Sequence, residues 1–475
     1  MKVHPVMQVI RNNKSGLQFV KFAHKLFLII FALFIADPAY ASLPSGIDTL
    51  EVSSGFTLSK HDTSPFWMWA NRQGRVDPES TSSLFTRLRV NKNPVDEYTF
   101  DWFYGFDVTA GTNSTRNLVW TDAYAGLAYK NFRLHIGRKA ETFGLVDSLL
   151  TVGSEVYSHN APTIPKIAIS TNGYVGIFDD LAVNAYLAHG WLGEEQNVTN
   201  AYLHQKYLYL RFGEDLPDQG LNFYIGIHHL AVWGGTNRSD GVTNPSGFSA
   251  FRSVFVGGKG GSDAIVTDQT NALGNHLGSI EYAFQLKGSE RDWFFYAHTL
   301  FEDVSGIWGG LLVKPGDYFL GASMINKQQG SRLKRINIEY LDTRGSVFGE
   351  PDDYFYNGYY RSGWTYQGYG IGHPFISFTE LPNYTFIPQN RLQGANVGVA
   401  LAFSDRFNPI IRTAWIRQQG SITEPRPGID HYAFALSNNS TMSEGWRLNQ
   451  ELYFDVGQSI KFNPGIIISV TKSFF

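Results

Sequence analysis

What most constrains this chain is a two-residue alternation of apolar and polar side chains that recurs in hairpins along its length. Phe100, Trp102, Tyr104, Phe106 and Val108 alternate with Thr99, Asp101, Gly105, Asp107 and Thr109, and only Phe103 interrupts the polar face. Successive side chains of a strand point to opposite faces, so such a segment carries one apolar and one polar surface. Ala123, Ala125, Leu127 and Tyr129 form a second apolar face, which turns at Lys130-Asn131 into Phe132, Leu134 and Ile136. Residues 174–178 turn at Asp179-Asp180 into Leu181, Val183, Ala185 and Leu187. Further hairpins turn at 213–220, 287–292 and 404–408, while the segments 139–172, 231–278 and 341–393 between hairpins are long and irregular.

Short turns at one end and long loops at the other describe an outer-membrane β-barrel, with the short turns on the periplasmic side. The final ten residues fit its closing strand. Ile466, Ile468, Val470 and Phe474 share one face and Ile467, Ser469, Thr471 and Ser473 the other, although Lys472 interrupts the apolar face. By itself this segment suits an ordinary half-buried strand equally well. In a barrel, Ile466, Ile468 and Val470 face lipid, Lys472 snorkels to the interface, and Phe475 is the terminal aromatic of an assembly signal.

The N-terminus bears on the choice. Lys2, Arg11, Lys14, Lys21 and Lys25 precede an 11-residue apolar run, Leu26–Ala36, and Ala39-Tyr40-Ala41 follows with small residues at the cleavage spacing. A run of that length is too short to span a bilayer as a helix, which takes about 20 residues. Residues 1–41 are therefore expected to be a cleaved secretory signal, and 42–475 a single barrel domain. The remaining 434 residues suggest about 16 to 18 strands, with 18 preferred and an even number required. Without the leader the chain has 34 basic and 41 acidic residues, about −7, which offers nucleic acid no electrostatic foothold. There is no cysteine, hence no disulfide or thiolate metal site. The 25 Tyr, 11 Trp and 48 Gly suit aromatic girdles and many turns.

Motifs for chemistry are sparse, and neither a metal nor another cofactor is expected. No G-x-S-x-G elbow and no H-E-x-x-H is present. Residues 257–262 (GGKGGS) lack the spacer of a phosphate loop, and 368–372 (GYGIG) lack the strand–helix context of a dinucleotide site. His228 and His229 are neighbours in a strand and point to opposite faces. Glu350, Asp352 and Asp353 suit a solvated acidic loop better than a cation site. The segment 354–375 (YFYNGYYRSGWTYQGYGIGHPF) stands apart, with six Tyr, Trp364 and Arg361 interleaved with Gly. Aromatic faces pack against sugar rings and guanidinium groups bind carboxylates, so the segment suits a polysaccharide surface. It equally suits a loop folded inward to plug the barrel with its own packed core. The candidate polysaccharide-binding residues are Trp364 as a stacking platform, Arg361 for acidic groups, and Tyr366 and Tyr369 as amphipathic contacts.

Eight motifs in order carry a family resemblance: 64–78 (SPFWMWANRQGRVDP), 136–144 (IGRKAETFG), 158–170 (SHNAPTIPKIAIS), 188–193 (AHGWLG), 201–213 (AYLHQKYLYLRFG), 227–235 (IHHLAVWGG), 271–281 (NALGNHLGSIE) and 361–375 (RSGWTYQGYGIGHPF). Over nearly the whole mature length the chain resembles the Wzi-like capsule assembly proteins, particularly the form found in Bacteroidetes. That resemblance implies an outer-membrane barrel, of 18 strands in the family pattern, that acts as a lectin-like factor on surface polysaccharide and is not an enzyme. The enteric members carry a periplasmic helical bundle. Here only about a dozen residues separate Ser42 from the first strand expected at Gly55, too few for such a bundle at ~1.5 Å per residue. The expected partners are capsular polysaccharide or exopolysaccharide and outer-membrane lipid, with polysaccharide export machinery at the periplasmic turns left open. The alternatives are a diffusion porin or sugar channel and, third, an outer-membrane lipase or deacylase.

Overall fold

The computed structural model describes residues 46–95, 99–112, 116–302, 317–345, 354–404, 406–421 and 423–474. The expected signal segment 1–41, Glu350, Asp352, Asp353 and Phe475 lie outside these residues.

Eighteen antiparallel strands form the wall. They are β1 (Thr49–Ser59), β2 (Ser82–Lys92), β3 (Phe100–Gly111), β4 (Leu118–Tyr129), β5 (Phe132–Arg138), β6 (Lys166–Thr171 and Val175–Phe178), β7 (Leu181–Trp191), β8 (Tyr202–Phe212) and β9 (Gly220–Trp233). The second half comprises β10 (Asn275–Lys287), β11 (Arg291–Phe301), β12 (Asp317–Asn326), β13 (Leu333–Thr343), β14 (Leu392–Leu401), β15 (Ile410–Gly420), β16 (Pro425–Ser443), β17 (Trp446–Gly457) and β18 (Asn463–Ser473). Both pieces of β6 pair with β7, so they act as one interrupted strand. The first strand starts at Thr49, earlier than the Gly55 that sequence suggested. β18 pairs with β1 from Glu51↔Ser473 to Ser59↔Gly465, which closes the sheet and leaves no backbone edge exposed to lipid.

Side-chain alternation sorts the wall. In β18, Ile467 and Ser469 are buried inward, which turns Ile466, Ile468 and Val470 outward. Lys472 lies at the rim, its Nζ 5.3 Å from the Trp446 ring centre and donating to the Glu444 carbonyl at 3.3 Å. In β3, Asp101, Phe103, Gly105, Asp107 and Thr109 face inward. Phe103, the apparent blemish on the polar face, fills the space beside Gly126 on β4, where a Cβ would meet its ring at 2.3 Å. A register shift between Asp107 and Val108 marks a bulge opposite Thr121-Asp122. One extra residue reverses the alternation of β4, so Trp120 and Leu127 both point outward. The same bulge aims Asp122 at the backbone N–H of Ala140, 2.7 Å away at the start of the loop 139–165.

Connections 93–99, 130–131, 179–180, 213–219, 288–290, 327–332, 402–409 and 444–445 share the end at which β1 begins and β18 finishes. The loops 60–81, 139–165, 234–274 and 344–391 share the opposite end. The last hairpins depart from the pattern, because 421–424 and 458–462 are short although they lie at the long-loop end.

The long loops go in different directions. Loop 60–81, which holds α1 (Phe66–Trp69), loop 139–165 and the segment 354–391 fold into the lumen. Loop 234–274 divides: its first part bonds the plug, Asn244 Nδ2 donating to the Tyr360 hydroxyl at 2.9 Å, and its later part, from Phe248, folds outward over the wall. Its helix α2 (Phe248–Val256) buries Ala250 and Val254 with Ala231 and Trp233, the outward-facing residues at the upper end of β9. Gly257 ends α2 with φ 66°, a left-handed conformation that suits glycine. A short helix, α3 (Val266–Thr270), follows.

Candidate functional site

Folding a loop into a barrel withdraws backbone N–H and C=O groups from water, and each then needs a partner. The inner wall supplies carboxyl groups for this. Glu281 accepts from the Leu145 N–H at 2.7 Å, and Asp455 from the Phe66 N–H at 2.8 Å. Glu339 serves as a four-way acceptor. Its Oε2 takes the Val152 N–H at 2.8 Å and Asn396 Nδ2 at 3.0 Å, and its Oε1 takes the Tyr296 hydroxyl at 2.7 Å and the Thr151 hydroxyl. His298 Nε2 donates to the Leu145 carbonyl at 3.0 Å, and Arg412 to that of Leu149 at 2.8 Å.

Glycines on β14 make room for the plug. A Cβ on Gly394 would meet the Phe375 ring at 2.4 Å, and one on Gly398 would meet the Leu150 Cβ at 2.8 Å. The loops also lock to each other. Ser158 donates through its N–H to the Ile371 carbonyl at 2.8 Å and through its hydroxyl to the Gly372 carbonyl at 2.6 Å. The His373 N–H donates to the Glu155 carbonyl at 3.0 Å, and the Gln73 N–H to that of His159 at 2.7 Å.

The aromatic segment 354–375 is the centre of this plug rather than a surface. Tyr354, Phe355, Trp364, Ile371 and Phe375 are all essentially inaccessible. Trp364, expected as a stacking platform, is 0% exposed, so neither ring face can receive a sugar while the plug is packed. Tyr366 is buried with its hydroxyl accepting from Arg138 Nη2 at 3.0 Å, and Tyr369 is buried opposite it across a two-residue hairpin. Arg361 alone of the four is exposed, with its Nε donating to the Gly358 carbonyl at 3.1 Å. The sequence pattern was compatible with either surface or plug, and burial of the rings decides for the plug.

Sequence reasoning missed two features. At the outer face, the hairpin 377–389 carries Tyr384 at its tip, exposed, with the Arg238 guanidinium 4.9 Å from its ring centre. Arg361 and Ser362 run beside it: the Arg361 carbonyl accepts from the Phe386 N–H at 2.8 Å, and the Ser362 hydroxyl donates to the Tyr384 carbonyl at 2.8 Å. Beneath the plug lies a cavity of about 430 Å³ lined in part by Trp67, Asn71, Arg72, Arg75 and Arg412. Four of these sit in the motif 64–78, but nothing in the sequence joins that motif to Arg412 on β15.

The plug also buries ionisable groups. Burial, with Glu281 and Asp317 nearby, raises the Glu155 carboxyl well above its ordinary value, and neither of its oxygens has a hydrogen-bond partner among the described residues. Burial, with His298 nearby, lowers His373 to about 3, so this ring stays neutral. His228 turns into the lumen toward Gln205, at 3.0 Å, while His229 turns outward and pairs with His276 at 2.9 Å. Among the described residues no three His, Asp or Glu side chains converge as a metal site.

No family model matches the chain, and no curated protein matches it in sequence. Solved structures match in fold. The Escherichia coli outer-membrane protein Wzi, described as involved in group 1 capsule assembly and as a carbohydrate-binding β-barrel, is 14% identical, with a TM-score of 0.58 over 88% of this chain and 83% of that one. OccK5 (OpdH) of Pseudomonas aeruginosa is 9% identical, with a TM-score of 0.45 over 92% of this chain and 100% of that one. OmpF of Salmonella typhi is 7% identical, with a TM-score of 0.42 over 90% of this chain and 97% of that one. The protein has the fold of an outer-membrane β-barrel.

Proposed function

We propose that this barrel binds surface polysaccharide, capsule or exopolysaccharide, at its long-loop face and helps retain or assemble it there, without enzymatic activity. One observation carries the reading: the lumen is filled by a plug with a packed aromatic core, anchored by wall carboxyl groups at Glu281, Glu339 and Asp455. A diffusion channel needs a continuous water path, and buried Tyr354, Phe355 and Trp364 occupy the route such a path would take. The outer surface then becomes the working surface. Arg361 and the Arg238–Tyr384 pair offer guanidinium groups for sugar carboxylates and an aromatic face for a sugar ring. Likeness in fold to the carbohydrate-binding Wzi, together with the eight sequence motifs, supports the same reading. Surrounding lipid and polysaccharide export machinery at the short turns complete the proposed partners.

The test is an Arg361→Ala, Tyr384→Ala double variant in the native host. Barrel assembly, read by heat-modifiable migration in detergent, is expected to be unchanged, while polysaccharide shifts from the cell surface to the medium. Full retention by an assembled double variant would reject this outer-face site.

A further inference from the structure

The cavity beneath the plug, open on one side, has an uneven charge balance. Arg72, Arg75 and Arg412 line it against a single carboxylate, Glu451. Arg72 is committed to Glu451 and the Tyr453 hydroxyl. The other two arginines donate to carbonyl oxygens: Arg75 Nε to that of Arg72 at 2.9 Å, and Arg412 Nη2 to that of Leu149 at 2.8 Å, with the Arg412 guanidinium 5.9 Å from the Trp67 ring centre. Neither has an ion-pair partner among the described residues. Burial, with Arg87 and Arg72 nearby, pushes Arg75 down to about 9, which Asp107 and Glu451 offset only in part. Nearby Arg87 is itself paired with Asp107, so no carboxylate is spare on that side.

The rest of the lining supplies other recognition groups. Trp67 Nε1 and Asn71 Oδ1, on two residues that line this space, are buried without a partner among the described residues. The Trp67 ring adds an apolar surface, and Asn439 and Asn449 add amide groups. The lining runs down to Asn408, Asn438 and Asn439, next to the short turns 402–409 and 444–445, so the way out leads to the periplasmic end. A volume of about 430 Å³ falls within the range of small-molecule sites.

We infer that this cavity is a second binding site, which takes an acidic sugar unit from the periplasmic side, with Arg75 and Arg412 on its carboxylate and Trp67, Asn71 and Asn449 on its ring and hydroxyls. Two guanidinium groups without counter-charge select an anion. An aromatic face among amide groups selects a sugar over a simple anion. The choice of ligand rests on the polysaccharide reading above, but the site is separate from the outer face. A barrel holding an acidic glycan at both ends of its plug would engage the chain before and after it reaches the cell surface.

The experiment titrates the purified full-length barrel in detergent with glucuronate, glucose and acetate, read by isothermal calorimetry. Glucuronate is expected to bind, with glucose and acetate each at least ten-fold weaker. Arg75→Gln and Arg412→Gln are each expected to weaken glucuronate ten-fold or more while heat-modifiable migration stays unchanged. Ser437→Trp, made together with Arg361→Ala and Tyr384→Ala so that the outer face is silenced, fills the cavity from the wall, leaves Arg72, Arg75 and Arg412 in place and is expected to abolish binding; it decides the matter if an arginine variant fails to assemble. Arg361→Ala with Tyr384→Ala is expected to leave glucuronate binding intact, so failure of the outer-face reading is distinguishable from failure of this one. Acetate binding as tightly as glucuronate, no glucuronate binding, or full binding by the triple variant with Ser437→Trp would each overturn the inference.

Discussion

Loops 139–165 and 234–274 leave the same end of the barrel and are both long, yet one folds into the lumen and the later part of the other lies over the outer wall. The inward loop is held by polar groups. Glu281, Glu339, Asn396, His298 and Arg412, all on strands, bond its backbone, so each N–H or C=O taken from water has a specific replacement. The outward part of the other loop, 248–274, is held mainly by apolar contact, with one polar tie from Lys206 Nζ to the Phe255 carbonyl. Ala250, Val254, Ala264 and Leu273 close over Ala231 and Trp233, with the Phe251 ring 5.6 Å from His204. The direction of each loop follows from what its stretch of wall offers: hydrogen-bond donors and acceptors inside, a low apolar surface outside. The outer loop also leaves Phe248, Val256 and Val266 at 84%, 64% and 78% exposure, at a level continuous with the lipid-facing wall.

The largest predicted effect is on the inward loop. Glu339→Ala removes four acceptor contacts at once and strands buried donors at Val152, Thr151, Tyr296 and Asn396. Loss of such a group costs on the order of 3 kcal/mol or more. Backbone hydrogen exchange over 145–155 should accelerate, while exchange in α2 is unchanged. Gly398→Val comes next, because its side chain would collide with Leu150. Overpacking of this kind costs about 1–3 kcal/mol, and limited proteolysis should then cut within 139–165 while the barrel remains assembled.

Val254→Ala probes the outer loop and should cost roughly 1.5 kcal/mol for two buried methyl groups. Protease access within 248–256 should rise, with no change in the plug; a coupled change in both loops would break the contrast drawn between them. The smallest effect concerns pH. His373 is neutral when folded and takes a proton near 6.5 when released, so the unfolded plug binds more protons between about pH 6.5 and 3. Its contribution is full above that window and is lost as pH falls through it. Glu155 acts in the opposite sense: its raised value favours the folded plug at low pH and costs stability as pH rises above the ordinary carboxyl range. Glu155→Gln should therefore raise the thermal midpoint at alkaline pH, and do so little in acid.

Much of the wall was legible because strand alternation is a local signal. The faces of 100–109 and 466–470 and the turns at 130–131 and 179–180 stand in the structure as the residue pattern places them. Phe103 and the bulge at Thr121-Asp122 were not legible, since each depends on a partner strand: an open glycine at Gly126, and the register of β3. The segment 354–375 posed a different difficulty. Its Tyr, Trp and Gly content fits a sugar-binding surface and a packed plug equally, and the room for the second comes from glycines distant in sequence, such as Gly394 beside the Phe375 ring. Trp364, Tyr366 and Tyr369 thus belong to the plug core, and Arg361 remains at the outer face. Arg72 and Arg75 lay in a recognisable motif, but the cavity they share with Arg412 exists only once the barrel closes.

Planar-bilayer conductance of the intact barrel, measured side by side with Glu339→Ala, tests the central claim most directly. The plug anchored by wall carboxyl groups predicts an electrically silent wild-type protein and a variant that opens. Large, steady channels from the wild type, unchanged in the variant, would contradict the account.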